Sequence, residues 1–124
     1  MSARTRAAQL WAHNEGFGLP NAIPTTHHNP GDLRHSPHSS HAGEGANDIG
    51  IIDSDDDGWA DLERQLQLFA DRGLTIREAA ETYWPAPENP TEACLKTVCE
   101  GLGLGPEIKM SIALMIPAEA PHAN

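Results

Sequence analysis

Apolar residues at helical spacing open the chain: Ala7, Leu10 and Trp11, with Asn14 in frame, predict a helix from about Ala3 to Asn14 that Gly16 or Gly18 stops. The pattern dissolves from Gly16 to Gly50. That stretch holds Pro20, Pro24, Pro30, Pro37 and five of the seven histidines, which predicts long irregular structure with short strands, one of them over Ile49 to Asp53. Irregular segments of this length are uncommon in compact domains and are often functional.

Helical periodicity then returns. Trp59, Leu62, Leu66 and Phe69 form an apolar stripe that Gly73 closes. Thr75 with Glu78 three residues on makes a capping box for a third helix, whose inward face is Ile76, Ala79, Ala80 and Tyr83 and which Pro85 ends. Asn89, Pro90 and Glu92 repeat the device for a fourth helix with stripe Leu95, Val98, Cys99 and Leu102. A last helix, from about Pro106 to Met115, is expected to bury Ile108, Ile112 and Met115. With no repeat and no βαβ alternation, the pattern predicts a mainly α (α+β) fold of about five helices, with a small loop or β lobe after the first. At 124 residues the chain reads as one domain over 1–124, with its core at about 3–116 and an irregular tail at 117–124.

Composition narrows the function. A net charge of -10, from 8 Lys and Arg against 18 Asp and Glu, argues against a nucleic-acid partner, because few cations are present to displace counterions. No apolar run reaches the roughly 18 residues of a membrane span, and MSARTRAAQLWAH has neither the apolar segment nor the cleavage site of a signal peptide. The expectation is a monomer made in the cytoplasm. Cys94 and Cys99, five apart, match neither a zinc nor a redox spacing and read as buried thiols.

Three groups of residues invite chemistry. Asp53, Asp55, Asp57 and Gly58 resemble the start of a calcium loop, but the twelfth position is Arg64 where a bidentate Glu belongs, so helix N-terminal capping is the expectation. His27, His28, His35, His38 and His41 offer imidazoles for zinc or nickel without a helical or cysteine-paired frame, and solvated loop histidines are the plainer reading. Glu15 lies four residues after Trp11. On a continuing helix its carboxyl sits beside the apolar face, where partial desolvation and the negative end of the helix dipole favour the protonated acid. Such an acid can protonate a leaving oxygen, whereas a fraying helix end would leave an ordinary surface Glu.

The order helix, EGF at 15–17, HNPGDLRH at 28–35, GIIDSDDDGWADLERQL at 50–66 and DRGLTIREAAETYWPAPENPTEA at 71–93 resembles lysozyme-like peptidoglycan-degrading domains of phage virion proteins and endolysins. Those are similar in outline to goose-type lysozymes and lytic transglycosylases. The resemblance spans roughly residues 7–100, with the NPG corner and the PxEN segment as its specific parts. It implies a lysozyme-like fold, a MurNAc–GlcNAc β-1,4 bond as the target, Glu15 as general acid and Asp32 as second carboxylate, with Asp48 and Asp53 behind it. It implies substrate contacts from Asn29, Arg34, Tyr83 and Asn89, with Asn29 to Arg34 serving largely as scaffold, and it implies no metal and no cofactor.

Bacterial peptidoglycan would be the partner, reached in the periplasm or cell wall through a virion or a holin. If no carboxylate faces Glu15, the substrate's acetamido group assists and the product is a 1,6-anhydro sugar. Cys94 stands where the family commonly has an aromatic, His28 precedes Asn29 in place of a second Asn, and the charge is acidic. These departures keep open a catalytically silent virion binding module, and the histidine loop keeps open a metal-binding protein.

Overall fold

The structure, a computed structural model, describes residues 1–40 and 46–115. His41 and the tail expected at 117–124 lie outside the described residues. The described chain is mainly helical: α1 Ala3–Asn14, α2 Ile23–Thr26, a 3-10 turn Ala46–Asp48, α3 Asp55–Asp71, α4 Ile76–Tyr83, α5 Thr91–Leu102 and α6 Met110–Ala113. The strand expected over Ile49 to Asp53 is absent from the described residues. Ile52 instead makes one antiparallel bridge with Ser39, and Thr75 makes another with Lys109.

Three helices end by one device. Gly16, Gly73 and Gly103 take left-handed backbone at φ 85, 77 and 68. The next residue's N–H reaches back five positions: Phe17 to Ala12, Leu74 to Phe69 and Leu104 to Cys99, at 3.1, 3.2 and 3.1 Å. Carbonyls left over at each helix end are thereby bonded. The start of α1 is held by Ser2, whose Oγ accepts from the Thr5 N–H at 3.0 Å.

The chain clusters into two compact units, Trp11–Gln65 in one and Met1–Leu10 with Leu66–Asn124 in the other. In the second unit α4 carries the expected capping box, with Thr75 and Glu78 each bonded to the other's backbone. Its buried face is Ile76, Ala79 and Ala80, while Tyr83 is half-buried with its ring 6.1 Å from Phe69 and 5.3 Å from Trp84. Leu95 and Val98 of α5 are buried with Cys94. Cys99 is partly covered, and that burial pushes its thiol pKa up against the opposing charge of Arg77.

Two expectations about this unit are corrected. Asn89 does not cap α5; its amide donates to the Pro85 carbonyl at 3.0 Å, and Pro90 takes the cap position without a side-chain bond. The last helix is only Met110–Ala113, burying Met110 and Ala113, whereas Ile112 and Met115 are exposed. The reason is backbone pairing. Carbonyls of Ile108 and Pro106 accept the first N–H groups of α4, from Ile76 and Arg77, at 2.8 and 2.9 Å, and Met110 N–H donates to Leu74 at 2.8 Å. Residues 106–110 are thus tied alongside the start of α4, so the helix begins late and its buried face changes.

Candidate functional site

The site lies within Trp11–Gln65 and begins with the end of α1. Trp11 and Ala12 are buried, and Glu15 follows Asn14 directly, held by its N–H to Ala12 at 3.0 Å. Gly16 then turns the chain, and Phe17 packs edge-on to Trp59 at 5.2 Å. Glu15 is half-buried there.

The NPG corner is built on Asn29, which is fully buried. Its amide donates to the carbonyls of Leu33 and Gly50 at 2.7 and 2.9 Å, and its Oδ1 accepts from the Leu33 N–H at 3.0 Å. All its bonding is directed at backbone, so Asn29 shapes the loop. Asp32 closes a turn by donating its N–H to the Asn29 carbonyl at 2.9 Å. The left-handed residues of the corner are His28 and Asp32, at φ 52 and 54, not the glycine between them. Asp tolerates that conformation better than most side chains do.

The turn brings Asp32 to Glu15, and the two carboxyl groups share a side-chain hydrogen bond. His27 and Arg34 face the same group electrostatically. Burial raises the Asp32 pKa above the usual aspartate value; the Glu15 bond and the charges of His27 and Arg34 act the other way. Asp32 Oδ1 and His27 Nδ1 are both buried and make no hydrogen bond. Arg34 itself is exposed. An ionised carboxylate only accepts hydrogen bonds, so the contact between Glu15 and Asp32 requires a proton between them. The arrangement can therefore deliver a proton and take one back.

The corner is seated on α3 through Gly58. A Cβ there would collide with the His28 carbonyl oxygen and stand 2.7 Å from Pro30 Cδ, so this helical position accepts only glycine without a shift. The sequence suggested a calcium-loop glycine; its role is to let backbone approach a helix. Ser54 accepts from the Asp57 N–H at 3.2 Å at the start of α3, and Asp55, Asp56 and Asp57 lie in the first turn, as capping predicts.

The same acids hold histidines, which the sequence did not reveal. His28 Nδ1 lies 2.8 Å from Asp55. Asp61 is buried and takes both the backbone N–H and the Nδ1 of His38, at 2.9 and 2.6 Å, while His38 Nε2 lies 3.8 Å from Asp57. The largest influence on His38 is its bond to Asp61, which raises its pKa. An acid beside the apolar stripe, Asp61 before Leu62, was the available signal, since a carboxylate in that frame must find a donor.

Among the described residues no three His, Cys, Asp or Glu side chains gather as metal ligands, and no helix is long and apolar enough to cross a membrane. Of the six residues proposed for the site, Glu15, Asp32 and Arg34 come together and Asn29 supports them. Tyr83 and Asn89 belong to the other unit. No protein-family model, no curated protein and no solved structure matches this chain.

Proposed function

We propose that the protein is a peptidoglycan-cleaving glycosidase in which Glu15 is the general acid, and that it works in the manner of a lytic transglycosylase. The observation that carries this reading is the hydrogen bond between Glu15 and Asp32. Two adjacent carboxyls hold one proton more tightly than either would alone, which favours the acid form over that of an isolated carboxyl. The resemblance of the EGF, NPG and PxEN segments to lysozyme-like domains supplies the substrate class.

The closeness of the pair selects between mechanisms. Retaining glycosidases hold their carboxyls about 5–5.5 Å apart and inverting ones about 6.5–9.5 Å, to admit the sugar or a water. A hydrogen-bonded pair is closer than either. Asp32 is therefore assigned as the partner of the acid rather than as a nucleophile or a water-activating base. Glu15 gives its proton to the glycosidic oxygen as the bond from C1 breaks, and the acetamido oxygen of the MurNAc residue bonds to C1. Glu15, now a carboxylate beside anionic Asp32, takes the proton of the C6 hydroxyl. O6 then bonds to C1, the acetamido group is released, and a 1,6-anhydro ring remains without consumption of water.

Peptidoglycan zymography tests the reaction. Clearing by the parent protein and none by Glu15→Gln is expected, with anhydro ends in the mass spectrum of released muropeptides. No clearing by folded parent protein would assign the silent virion module instead, and reducing ends would replace the transglycosylase route by hydrolysis. As an enzyme of the wall, the protein would reach its substrate in the virion or through a holin.

A further inference from the structure

We propose that residues 33–40 form a pH-operated strap, fastened to α3 when the His38 imidazolium meets the buried Asp61 carboxylate and loosened when the ring is neutral. The inference is independent of the glycosidase reading.

The strap has two edges. Along one it pairs with residues 50–52: Gly50 N–H donates to the Leu33 carbonyl at 2.9 Å, Ser40 N–H donates to the Ile51 carbonyl at 3.2 Å, and Ser39 bridges to Ile52. Gly50 sits so close that a Cβ there would strike Ser39 Oγ and crowd the Arg34 carbonyl. At the other edge His38 is joined to α3 by Asp61, which accepts both its backbone N–H at 2.9 Å and its Nδ1–H at 2.6 Å. The Asn29 amide, bonded to the Leu33 and Gly50 carbonyls, ties the strap to the corner that carries Asp32.

The His38 contact is built to respond to protons. A carboxylate only accepts hydrogen bonds, so Nδ1 keeps its hydrogen in both states of the ring and Nε2 is the nitrogen that gains or loses one. The His38 side chain is 47% exposed and that of Asp61 is 1% exposed. Protons thus reach the ring from water, while the charge that they answer is buried. With the imidazolium the bond is charge-assisted and the buried anion has a counterion; with the neutral ring Asp61 keeps two neutral N–H donors and loses the cation. The charged groups facing the ring are Asp61 and Asp57, both on α3, the latter 3.8 Å from Nε2, and both favour the protonated form. On the side of residues 50–53, Asp53 accepts from Ser40 Oγ at 3.2 Å, and the strap's own Arg34 and His35 are exposed. The bond to Asp61 is the largest cause of a raised His38 pKa. The strap is therefore fastened in mild acid and loosens as pH rises through the folded value.

The test is amide hydrogen exchange of the full chain, normalised for the intrinsic pH dependence of exchange, from about pH 5 to about pH 9, which brackets a raised imidazole. Protection of the His38, Ser40 and Gly50 amides is expected to fall about five-fold over that range, the difference between a charge-assisted and a neutral hydrogen bond. The Ala79 and Met110 amides, bonded within the other unit, should hold level. His38→Gln, a change at an exposed side chain, should show the low protection at every pH. His28→Gln, which removes the contact to Asp55, should keep the parent's fall. Protection in the parent that does not change with pH would overturn the proposal, and so would an equal fall in His38→Gln. Zymography answers a separate question: exchange that behaves as expected in a parent that clears no peptidoglycan removes the glycosidase reading and leaves the strap standing.

Discussion

The two units of this protein are held by different kinds of interaction. In Met1–Leu10 with Leu66–Asn124, the ordering devices are mostly local, the pairing of residues 106–110 with the start of α4 apart: a capping box at Thr75 and Glu78, glycine stops at Gly73 and Gly103, and apolar faces three and four residues apart. In Trp11–Gln65 they are distant in sequence: Asn29 to Gly50, His38 to Asp61, His28 to Asp55 and Gly58 against the His28 carbonyl. A helix-rich unit can be specified by neighbours along the chain. The irregular unit needs side chains to replace the backbone bonds that regular structure would have made.

One substitution in both units gives the strongest test of that contrast. Gly58→Ala and Gly101→Ala each place a methyl inside a helix, where propensity alone would favour Ala by about 1 kcal/mol. At Gly58 the methyl meets backbone, and a net loss of about 2–4 kcal/mol in urea unfolding is expected. At Gly101 it meets the methyl end of Leu10, which can turn aside, so a change within about 1 kcal/mol is expected. Equal losses would erase the distinction.

The next comparison is between polar devices. Asn29→Ala removes three bonds to buried or part-buried backbone and should cost about 2–4 kcal/mol, against about 1 kcal/mol for Thr75→Ala at the capping box. A reversal of that order in denaturant midpoints would show that the corner is not held by Asn29.

Two pH effects are smaller and differ in range. Asp32 has a raised pKa in the folded protein, so the folded state binds its proton more tightly than the unfolded chain does. Its contribution is therefore present below the ordinary aspartate value of 3.8 and is lost as pH rises through the folded value. Asp32→Asn, which also tolerates left-handed backbone, should match the parent in acid and be the more stable at neutral pH. Thermal melts across that range check it, and a parent that gains on the variant as pH rises would contradict it.

His38 is likewise raised in the folded state, chiefly by its bond to Asp61. Its charge-dependent contribution is complete below the ordinary histidine value of 6.5 and fades as pH rises through the folded one. The gap in melting temperature between parent and His38→Ala should thus narrow from mildly acid to alkaline pH. It should not close, because the neutral ring can still donate an Nδ1–H to Asp61, a bond the variant lacks.

Glu15 was singled out from the sequence because a helix end, a glycine and an apolar frame are all readable within a few residues. Asp32 was named through the NPG resemblance, but its hydrogen bond to Glu15 joins positions 17 apart, across a turn whose left-handed residues are His28 and Asp32. No periodicity encodes that. The histidines read as solvated or metal-binding because the acids that receive His28 and His38 lie more than twenty residues away on α3.

By itself the sequence determined the first helix, the stripe and stop of α3, the capping box of α4 and the apolar face of α5, since each depends on groups within about five residues. Only the tertiary structure decided that Asn29 serves backbone, that Gly58 is a seat for the corner, that Ile112 and Met115 face outward, and that the Glu15 and Asp32 carboxyls are hydrogen-bonded. The physical reason is common to all four. A helix satisfies its own backbone from within, whereas a loop or a buried acid must be satisfied from elsewhere in the chain, and the partner's identity appears only when the chain has folded back on itself.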